Sequence, residues 1–281
     1  MGSPAHPVTG VPRTLTIAGS DSGGGAGVQA DLKAFFALGC HGMSAFTALT
    51  AQNTLGVHAI HEVPPAFVEA QIAAVADDIG IDAAKTGMLA SAPIVEAVAG
   101  SVEAHGITRL VVDPVFVSKS GHRLLAADAV EALIERLFPL AALITPNLEE
   151  AGVLLGAPVT SVGEMKAAAR SLYAMGPHSV VVKGGHLHET TAVDVFYDGA
   201  ELVELTGPRW ATDDTHGTGD TLAAAVTARL AWGDDLLSAL SAGKEFVSGA
   251  IEHSLRLGGG FGPVNPGWRL LHEPADPPQP V

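Results

Sequence analysis

The stretch "DTHGTGDT", residues 214–221, places two glycines and an aspartate before an alanine-rich run. Apolar residues then recur every four positions, which predicts a helix with one apolar face beginning near Gly219. The first N–H groups of a helix lack carbonyl partners, and the helix dipole favours negative charge there. Gly217 and Gly219 let a ligand approach the backbone closely, which suits a phosphate. An ordinary glycine turn followed by an acidic residue, Asp220, has the same composition, so this stretch alone leaves both interpretations open.

Further chemistry-bearing residues follow the ends of apolar runs. Phosphoryl transfer requires charge neutralisation, positioning and a group that activates the acceptor hydroxyl. Lys183 supplies a positive charge, and Asp113 and Glu150 offer hard oxygen ligands for Mg²⁺, directly or through water. Asp220, at the edge of the turn, can take a proton from a hydroxyl acceptor. The set therefore favours phosphoryl transfer.

Other chemistries find weaker support. Gly25, Gly27 and Ala30 match the dinucleotide pattern G-x-G-x-x-A, but no acidic residue for a ribose follows about 20 residues later. The Walker pattern G-x-x-x-x-G-K-[ST] and the serine elbow G-x-S-x-G are absent from the sequence. His186 and His188 are close, but no ligand cluster around them supports zinc.

Strand-like and helix-like segments alternate along the chain, which predicts an α/β fold with a mostly parallel central sheet and helices on both faces. Ligands of such sheets bind at the carboxyl ends of the strands, so the polar loops should meet there. The expected strands are 14–19, 43–49, 57–63, 81–87, 109–115, 141–147, 179–185 and a hairpin about Gly199, with the strands of 41–63 forming a small flap. The expected helices are 26–38, 65–79, 91–104, 126–137, 147–155, 163–174, 219–232 and 236–256.

Composition narrows the partners. The chain has 281 residues, 47% of them hydrophobic, and a formal net charge of −15. This charge argues against nucleic acid as the main partner, while a small phosphorylated ligand needs only a local positive site. No apolar run is long enough to cross a membrane. The single Cys40 cannot form an internal disulfide, which fits a reducing cytoplasm.

The organisation is that of one domain. Residues 1–13 lack the apolar core of a signal peptide and are expected to form a flexible lead. Residues 14–272 show no internal linker and are expected to form a single domain. Residues 273–281 are a Pro-rich tail.

A series of motifs resembles a known family. In chain order they are "AGSDSGGGAGVQADLKAF", "TAQNT", "KTGML", "DPVFVSKSG", "ITPNLEEA", "VVKGGH", "THGTGDT" and "GGGFGPV". Together they span roughly residues 14–266 and resemble the hydroxymethylpyrimidine/phosphomethylpyrimidine kinases of the ribokinase-like superfamily. Because many motifs agree in order, the resemblance is far more specific than any one of them.

The resemblance implies a ribokinase-like three-layer fold and a cytoplasmic, homodimeric enzyme of thiamine biosynthesis. Such an enzyme phosphorylates 4-amino-5-hydroxymethyl-2-methylpyrimidine with ATP and Mg²⁺. It then phosphorylates the monophosphate to the diphosphate.

Matched positions imply the site residues. The family's pyrimidine site falls on Gly19, Asp31, Gln52, Met88 and Val115. The nucleotide and metal side falls on Asp113, Asn147, Glu150, Lys183, Thr215, Gly217 and Lys244. The catalytic group comprises Asp220, Gly217, Gly219 and Lys183.

One position departs from the family. Many of its kinases carry cysteine where this chain has Asp220, whereas an aspartate there resembles ribokinase and many pyridoxal kinases. Pyridoxal kinase is therefore the first alternative function. A non-catalytic pyrimidine- or nucleotide-binding module is the second, and the retention of Asp220, Lys183 and the glycine turn together argues against it.

Overall fold

The computed structural model describes residues 10–116, 121, 127–185 and 191–270. Within these ranges nine strands form a single sheet. In chain order they are β1 (Arg13–Asp21), β2 (His41–Asn53), β3 (Gly56–Glu62), β4 (Ala83–Thr86), β5 (Leu110–Val112), β6 (Leu143–Ile144), β7 (Val180–Lys183), β8 (Thr191–Tyr197) and β9 (Leu202–Pro208).

Helices connect most of these strands. They are α1 (Gly27–Ala37), α2 (Pro65–Asp78), α3 (Ala92–Ala104), α4 (Ala127–Ala132), α5 (Leu148–Leu155), α6 (Val162–Tyr173), α7 (Thr218–Trp232) and α8 (Leu236–Glu252). A π-helical turn over Leu133–Leu137 and a 3₁₀ turn over Phe138–Leu140 continue α4. The alternation predicted from the sequence is confirmed element by element.

The strand order is β3-β2-β1-β4-β5-β6-β7-β8-β9. Strands β2, β1, β4, β5, β6 and β7 run parallel, and antiparallel neighbours lie at both ends: β3 beyond β2, and β8 and β9 beyond β7. The chain reverses its direction of travel across the sheet at β1, which has β2 on one side and β4 on the other. Such a switch point opens a crevice at the carboxyl ends of the strands.

Apolar side chains fill both sides of the sheet. Helices α2 to α6 pack on one face, with Ile72 and Met165 among their fully buried residues. Helices α1, α7 and α8 cover the other face, where Phe35 meets Phe246. Strands buried on both faces require continuous apolar sequence, as in the buried run of β5. These three layers confirm the predicted ribokinase-like architecture.

Three boundaries differ from expectation. Strands β5 and β6 are shorter than the segments 109–115 and 141–147, because Pro114 and Pro146 lack the N–H that a ladder needs. The segment 41–63 is not a separate flap, since β2 pairs with β1 from His41 to Thr50 as part of the main sheet. Only its hairpin end continues past β1.

The amino-terminal boundary also moves. Arg13, expected in a flexible lead, opens β1 and pairs with Asp82 at 2.6 Å. The first nine residues of the lead and the tail 273–281 lie outside the described residues. None of the helices within the described ranges is long and apolar enough to cross a membrane.

Candidate active site

A cavity of about 690 Å³ opens at the carboxyl ends of the parallel strands. Its position agrees with the crevice that the topology predicts. Twelve of the residues predicted from the sequence line it: Gly19, Gln52, Met88, Asp113, Val115, Asn147, Glu150, Lys183, Thr215, Gly217, Gly219 and Asp220. The structure therefore brings together residues that are up to about two hundred positions apart.

Two predicted residues do not line the cavity. Asp31 is fully buried beneath it, where it pairs with Lys85 at 2.8 Å. Lys244 pairs with Asp194 at 2.6 Å and so ties α8 to β8. Asp31 is thus a member of a buried ion pair and has no surface in the cavity, whereas the assignment of Lys244 to the nucleotide stays a prediction.

The glycine turn before α7 needs its two glycines for different reasons. Gly217 has a φ of +80°, and a Cβ there would overlap the carbonyl oxygen of Gly25. A Cβ at Gly219 would lie 3.3 Å from Lys183 Nζ and 3.5 Å from Asp113 Oδ2, inside the cavity. The first glycine is required by backbone conformation and packing. The second keeps space free beside the charged groups.

Helix α7 begins without a side-chain cap. The N–H of Thr221 donates to the Gly217 carbonyl at 2.9 Å, which closes the first full turn. In the described part of the chain, the N–H groups of Gly219 and Asp220 donate to no carbonyl. Two amides at the positive end of a helix dipole are thus available to an anion.

A buried ion pair lies across from this turn. Lys183 Nζ donates to Asp113 Oδ1 at 2.8 Å, and the hydroxyl of Thr145 donates to the same oxygen at 2.7 Å. Burial alone would raise the pKa of Asp113, but the attraction of Lys183 and Lys85 outweighs it and lowers that pKa. Asp113 therefore stays ionised while its other oxygen lies toward Gly219.

Asn147 and Glu150 form a capping box at the start of α5. The Asn147 side chain accepts from the Glu150 N–H at 2.9 Å, and Glu150 Oε2 accepts from the Asn147 N–H at 2.7 Å. Both residues also line the cavity. Burial raises the pKa of Glu150 to about 8; Lys183 opposes this rise and Asp113 adds to it. Sequence reasoning assigned these residues to nucleotide and metal and missed the cap.

The donor set suits Mg²⁺ that is shared with phosphate. Among the residues that the structure describes, no three His, Cys, Asp or Glu side chains converge as a metal site. Lys183 and Thr145 occupy one oxygen of Asp113, and the capping box occupies one oxygen of Glu150, so each carboxyl keeps its second oxygen. One or two carboxylates with phosphate and water oxygens are the usual Mg²⁺ environment in phosphoryl-transfer enzymes.

Asp220 lies on the other side of the turn. Its Oδ1 is 3.4 Å from Nζ of Lys85, a fully buried residue at the end of β4. A Cβ at Gly87 would lie 3.8 Å from Asp220 Oδ1 and 3.1 Å from Ala18. The residues that follow Gly87 and Ala18 line the cavity, so Asp220 borders the wall predicted to hold the acceptor.

That wall is apolar at its base. Met88 Sδ lies where it would be 3.1 Å from a Cβ at Gly19, so only glycine at that position avoids displacing the thioether. The hydroxyl of Thr47 donates to the Met88 carbonyl at 2.6 Å and fixes the backbone there. With Val115, Met88 offers surfaces on which an aromatic ring can pack.

A polar cluster completes the acceptor side. His216 Nε2 is 2.9 Å from Asp21 Oδ2, and the Gln52 amide lies 3.4 Å from the same ring nitrogen. Burial opposes ionisation of Asp21, but the His216 hydrogen bond and the N–H groups of Gly23 and Ala26 lower its pKa overall. Sequence reasoning did not single out Asp21 or His216, although "GSDSGGG" and "THGTG" contain them.

The α/β architecture and the site together define a class. One side of the α7 turn faces the Lys183–Asp113 ion pair, and the other side carries Asp220 against an apolar acceptor wall. This is the arrangement of a ribokinase-like kinase, which transfers a phosphoryl group between two small molecules.

The chain belongs to the phosphomethylpyrimidine kinase family, whose model matches residues 21–265. A hydroxymethylpyrimidine/phosphomethylpyrimidine kinase of Streptomyces coelicolor is 51% identical over 270 residues, which cover 96% of this chain and 99% of that protein. The thiamine biosynthesis bifunctional protein ThiED of Geobacter sulfurreducens is 50% identical over 89% of this chain and 51% of its own length.

A solved structure shares the fold. The ADP complex of Bacillus subtilis pyridoxal kinase superposes with a TM-score of 0.87 at 41% identity, covering 93% of this chain and all of that one. The family and the fold thus agree with the kinase chemistry of the site.

Proposed function

We propose that the protein phosphorylates 4-amino-5-hydroxymethyl-2-methylpyrimidine with ATP, and then phosphorylates the monophosphate to the diphosphate, in thiamine biosynthesis. The names of its relatives from Streptomyces coelicolor and Geobacter sulfurreducens support the substrate and the pathway. The observation that carries the proposal is the position of Asp220, between the open amides of α7 and the acceptor wall. A carboxylate there can accept the proton of the acceptor hydroxyl, while the amides stabilise the charge on the transferred phosphoryl group.

The donor side holds the ATP phosphates. Lys183 neutralises phosphate charge, and Asn147 and Thr215 border the nucleotide. Asp113 and Glu150 would hold Mg²⁺, since each carboxyl has an oxygen that its protein partners leave free. The ion, when bound, would neutralise charge on the phosphates. Such charge stabilisation is, with positioning, the main contribution to catalysis of phosphoryl transfer.

The acceptor side holds the aminopyrimidine. The Gln52 amide offers a donor and an acceptor to the ring edge, and Met88 and Val115 pack against the ring faces. His216 sits beside Gln52 and is fixed by Asp21. This pairing holds the polar edge of the acceptor site in place.

In the first step Asp220 accepts the hydroxyl proton as the acceptor oxygen bonds to the γ-phosphorus of ATP. The bond between that phosphorus and the bridging oxygen breaks, and ADP leaves. The N–H groups of Gly219 and Asp220 hold the charge on the transferring group. In the second step the acceptor is a phosphate oxygen that carries little proton at neutral pH, because its second pKa is about 6.

The two steps therefore make different demands on Asp220, and this difference provides the test. Asp220→Asn keeps the shape and loses the base, so it should lower kcat for the alcohol step by roughly 10²–10⁴-fold with little change in acceptor affinity. The phosphate step should fall far less. Product formation on each acceptor, followed by mass spectrometry, measures both.

Asp78→Asn is a matched control, since Asp78 is exposed at the end of α2. It should leave both steps unchanged. An equal loss in the two steps of Asp220→Asn, or no loss in either, would show that Asp220 is not the base.

We also propose that the enzyme is a cytoplasmic homodimer. The single cysteine supports a reducing compartment. The outer edge of β3, next to the exposed Leu49 and Leu55, supports a covering partner, because unprotected sheet edges invite pairing.

A further inference from the structure

A buried chain of charges runs beneath the catalytic turn. Lys85 Nζ donates to Asp31 Oδ1 at 2.8 Å, and the other oxygen of Asp31 accepts from the Thr16 hydroxyl at 2.6 Å. Lys85, Asp31 and Thr16 are all fully buried. The same ammonium lies 3.4 Å from Oδ1 of Asp220, which is partly exposed to the cavity. Strand β4, helix α1 and helix α7 thus meet at one nitrogen atom.

The Lys85–Asp31 ion pair does not need a second carboxylate, that of Asp220, to neutralise the ammonium. Burying an ammonium is costly unless it is paired and hydrogen-bonded, and Asp31 already pairs with it. The added carboxylate belongs to the residue placed at the acceptor. Burial alone would lower the pKa of Lys85, but Asp31, Asp220 and Asp113 together raise it above its ordinary value. Lys85 therefore keeps its charge throughout the physiological range.

We propose that Lys85, anchored by Asp31, is the positioning residue of the catalytic base: it fixes Oδ1 of Asp220 and leaves Oδ2 for the acceptor hydroxyl. This inference rests on the proposed function, in which Asp220 is the base. The other charged groups around the ion chain are Lys183 from β7 and Asp113 at the end of β5. Lys183 binds Asp113 at 2.8 Å and also attracts Asp220, but within the described residues the ammonium that hydrogen-bonds Asp220 is that of Lys85.

Such a residue acts on any ionisable group placed at position 220. An opposite charge within hydrogen-bonding range lowers the pKa of an acid by about 1–3 pH units. The Asp220→Cys variant makes this measurable, because a thiolate absorbs in the ultraviolet and a thiol does not. Cys40 is the only other cysteine, and burial raises its pKa to about 11, so its ionisation lies well apart.

The first experiment titrates that thiol without any substrate. In Asp220→Cys the introduced thiol should ionise about 1–3 pH units lower than in Asp220→Cys/Lys85→Met. Equal titration curves in the two variants would overturn the proposal. A Lys85 whose charge does not act on position 220 would leave the curve unchanged.

The second experiment is a cycle on the alcohol step. Lys85→Met should lower kcat at least about tenfold when Asp220 is present, and should change it much less in the Asp220→Asn background. The same fold loss in both backgrounds would reduce Lys85 to a structural residue. If Asp220→Asn alone left the alcohol step intact, the proposed function would fail instead, so the two failures are distinguishable.

A second variant guards against misfolding. Lys85→Met leaves Asp31 buried without its cation, whereas Lys85→Met/Asp31→Asn removes both charges and keeps an acceptor for Thr16. This double variant should show the same loss on the alcohol step and the same raised thiol ionisation with Asp220→Cys. Wild-type kinetics in a folded double variant would overturn the proposal.

Discussion

Glu150 is held where ionisation is difficult. It is buried, one oxygen serves the capping box of α5, and Asp113 is close by. Its pKa therefore rises from 4.5 to about 8. At neutral pH and without a cation the carboxyl carries a proton, and Mg²⁺ arriving with nucleotide would displace that proton.

This shift predicts how stability depends on pH without Mg²⁺ and nucleotide. A carboxyl with a higher pKa in the folded chain binds more protons there, so its contribution is full below pH 4.5 and is lost as the pH rises toward 8. Glu150→Gln should therefore lose less stability than the wild type over this range, by about 1 kcal/mol or more. Urea unfolding at several pH values measures it.

Glu69→Gln is the control, since Glu69 lies on α2 and is exposed. It should follow the wild-type curve. Parallel curves for the wild type and Glu150→Gln would mean that Glu150 ionises normally in the folded protein.

Gln52 should decide between two heteroaromatic alcohols. Its amide lies 3.4 Å from His216 and lines the cavity, so we expect it to read the aminopyrimidine edge. Gln52→Leu should cost about 1–3 kcal/mol in discrimination between the aminopyrimidine and pyridoxal. The ratio of kcat/KM on the two acceptors measures this. An unchanged ratio would remove Gln52 from the site.

Single residues differ in how far the sequence reveals them. Asp220 and Lys183 stand beside glycines at predicted element ends, and the cavity contains both. The roles of Lys85 and His216 depend on partners far away in the sequence. Lys85 contacts Asp31 and Asp220, 54 and 135 positions away, and His216 contacts Asp21, 195 positions away. No local pattern carries such pairings. Asp31 illustrates the reverse error, because a matched motif position says nothing about burial.

At the scale of the element, the start of α7 is set by backbone rather than by a side-chain cap. Helices α5, α6 and α8 begin with side-chain caps from Asn147, Ser161 and Asp235, whereas α1, α2, α3 and α7 begin without one. At α7 the residue before the helix is Gly217, in the left-handed region with a φ of +80°. A side-chain cap would compete with a phosphate for the same amides, so this start leaves them open to an anion.

Gly217→Ala tests this turn. The positive φ costs about 1 kcal/mol for alanine, and the overlap with the Gly25 carbonyl adds to it. We expect a lower unfolding midpoint together with a large loss of kcat on both acceptors. Thermal unfolding and steady-state kinetics measure the two effects.

Gly233→Ala provides the matched control at the other end of the same helix. Gly233 has a φ of +96°, but a Cβ there meets nothing within 4 Å. It should lose stability by the backbone term alone and keep its activity. Equal behaviour of the two variants would show that packing against Gly25 contributes nothing.

The elements themselves were largely predictable. Periodicity located each helix and strand within a few residues, since buried strands such as β7 are continuous apolar runs. The ends of β5 and β6 were not predictable from the sequence. The prolines after them terminate the ladder, but the residue at which each ladder stops depends on the register with the neighbouring strands. The place of β2 also required the pairing partner, β1, to be known.

At the scale of the whole molecule, the open sheet leads to a prediction of assembly. Light scattering at micromolar concentration should give about twice the chain mass of 28.5 kDa.

The double variant Leu49→Asp/Leu55→Asp, on the outer hairpin, should shift the mass toward the monomer. Phe36→Asp, at an exposed site on α1, should leave it unchanged. A wild-type monomer would refute the dimer.

The contact of Gly217 with Gly25 also bears on how such an enzyme can be altered. The loop after β1, proposed to support the acceptor, and the loop before α7, proposed to support the phosphoryl group, contact each other through these glycines and through the Asp21–His216 pair. A mutation in either loop therefore alters the packing of the other, so we expect the effects of mutations in the two loops on activity to be non-additive. A library for new acceptors should vary positions 21, 25 and 216 jointly, because we expect single substitutions at these positions to give inactive variants.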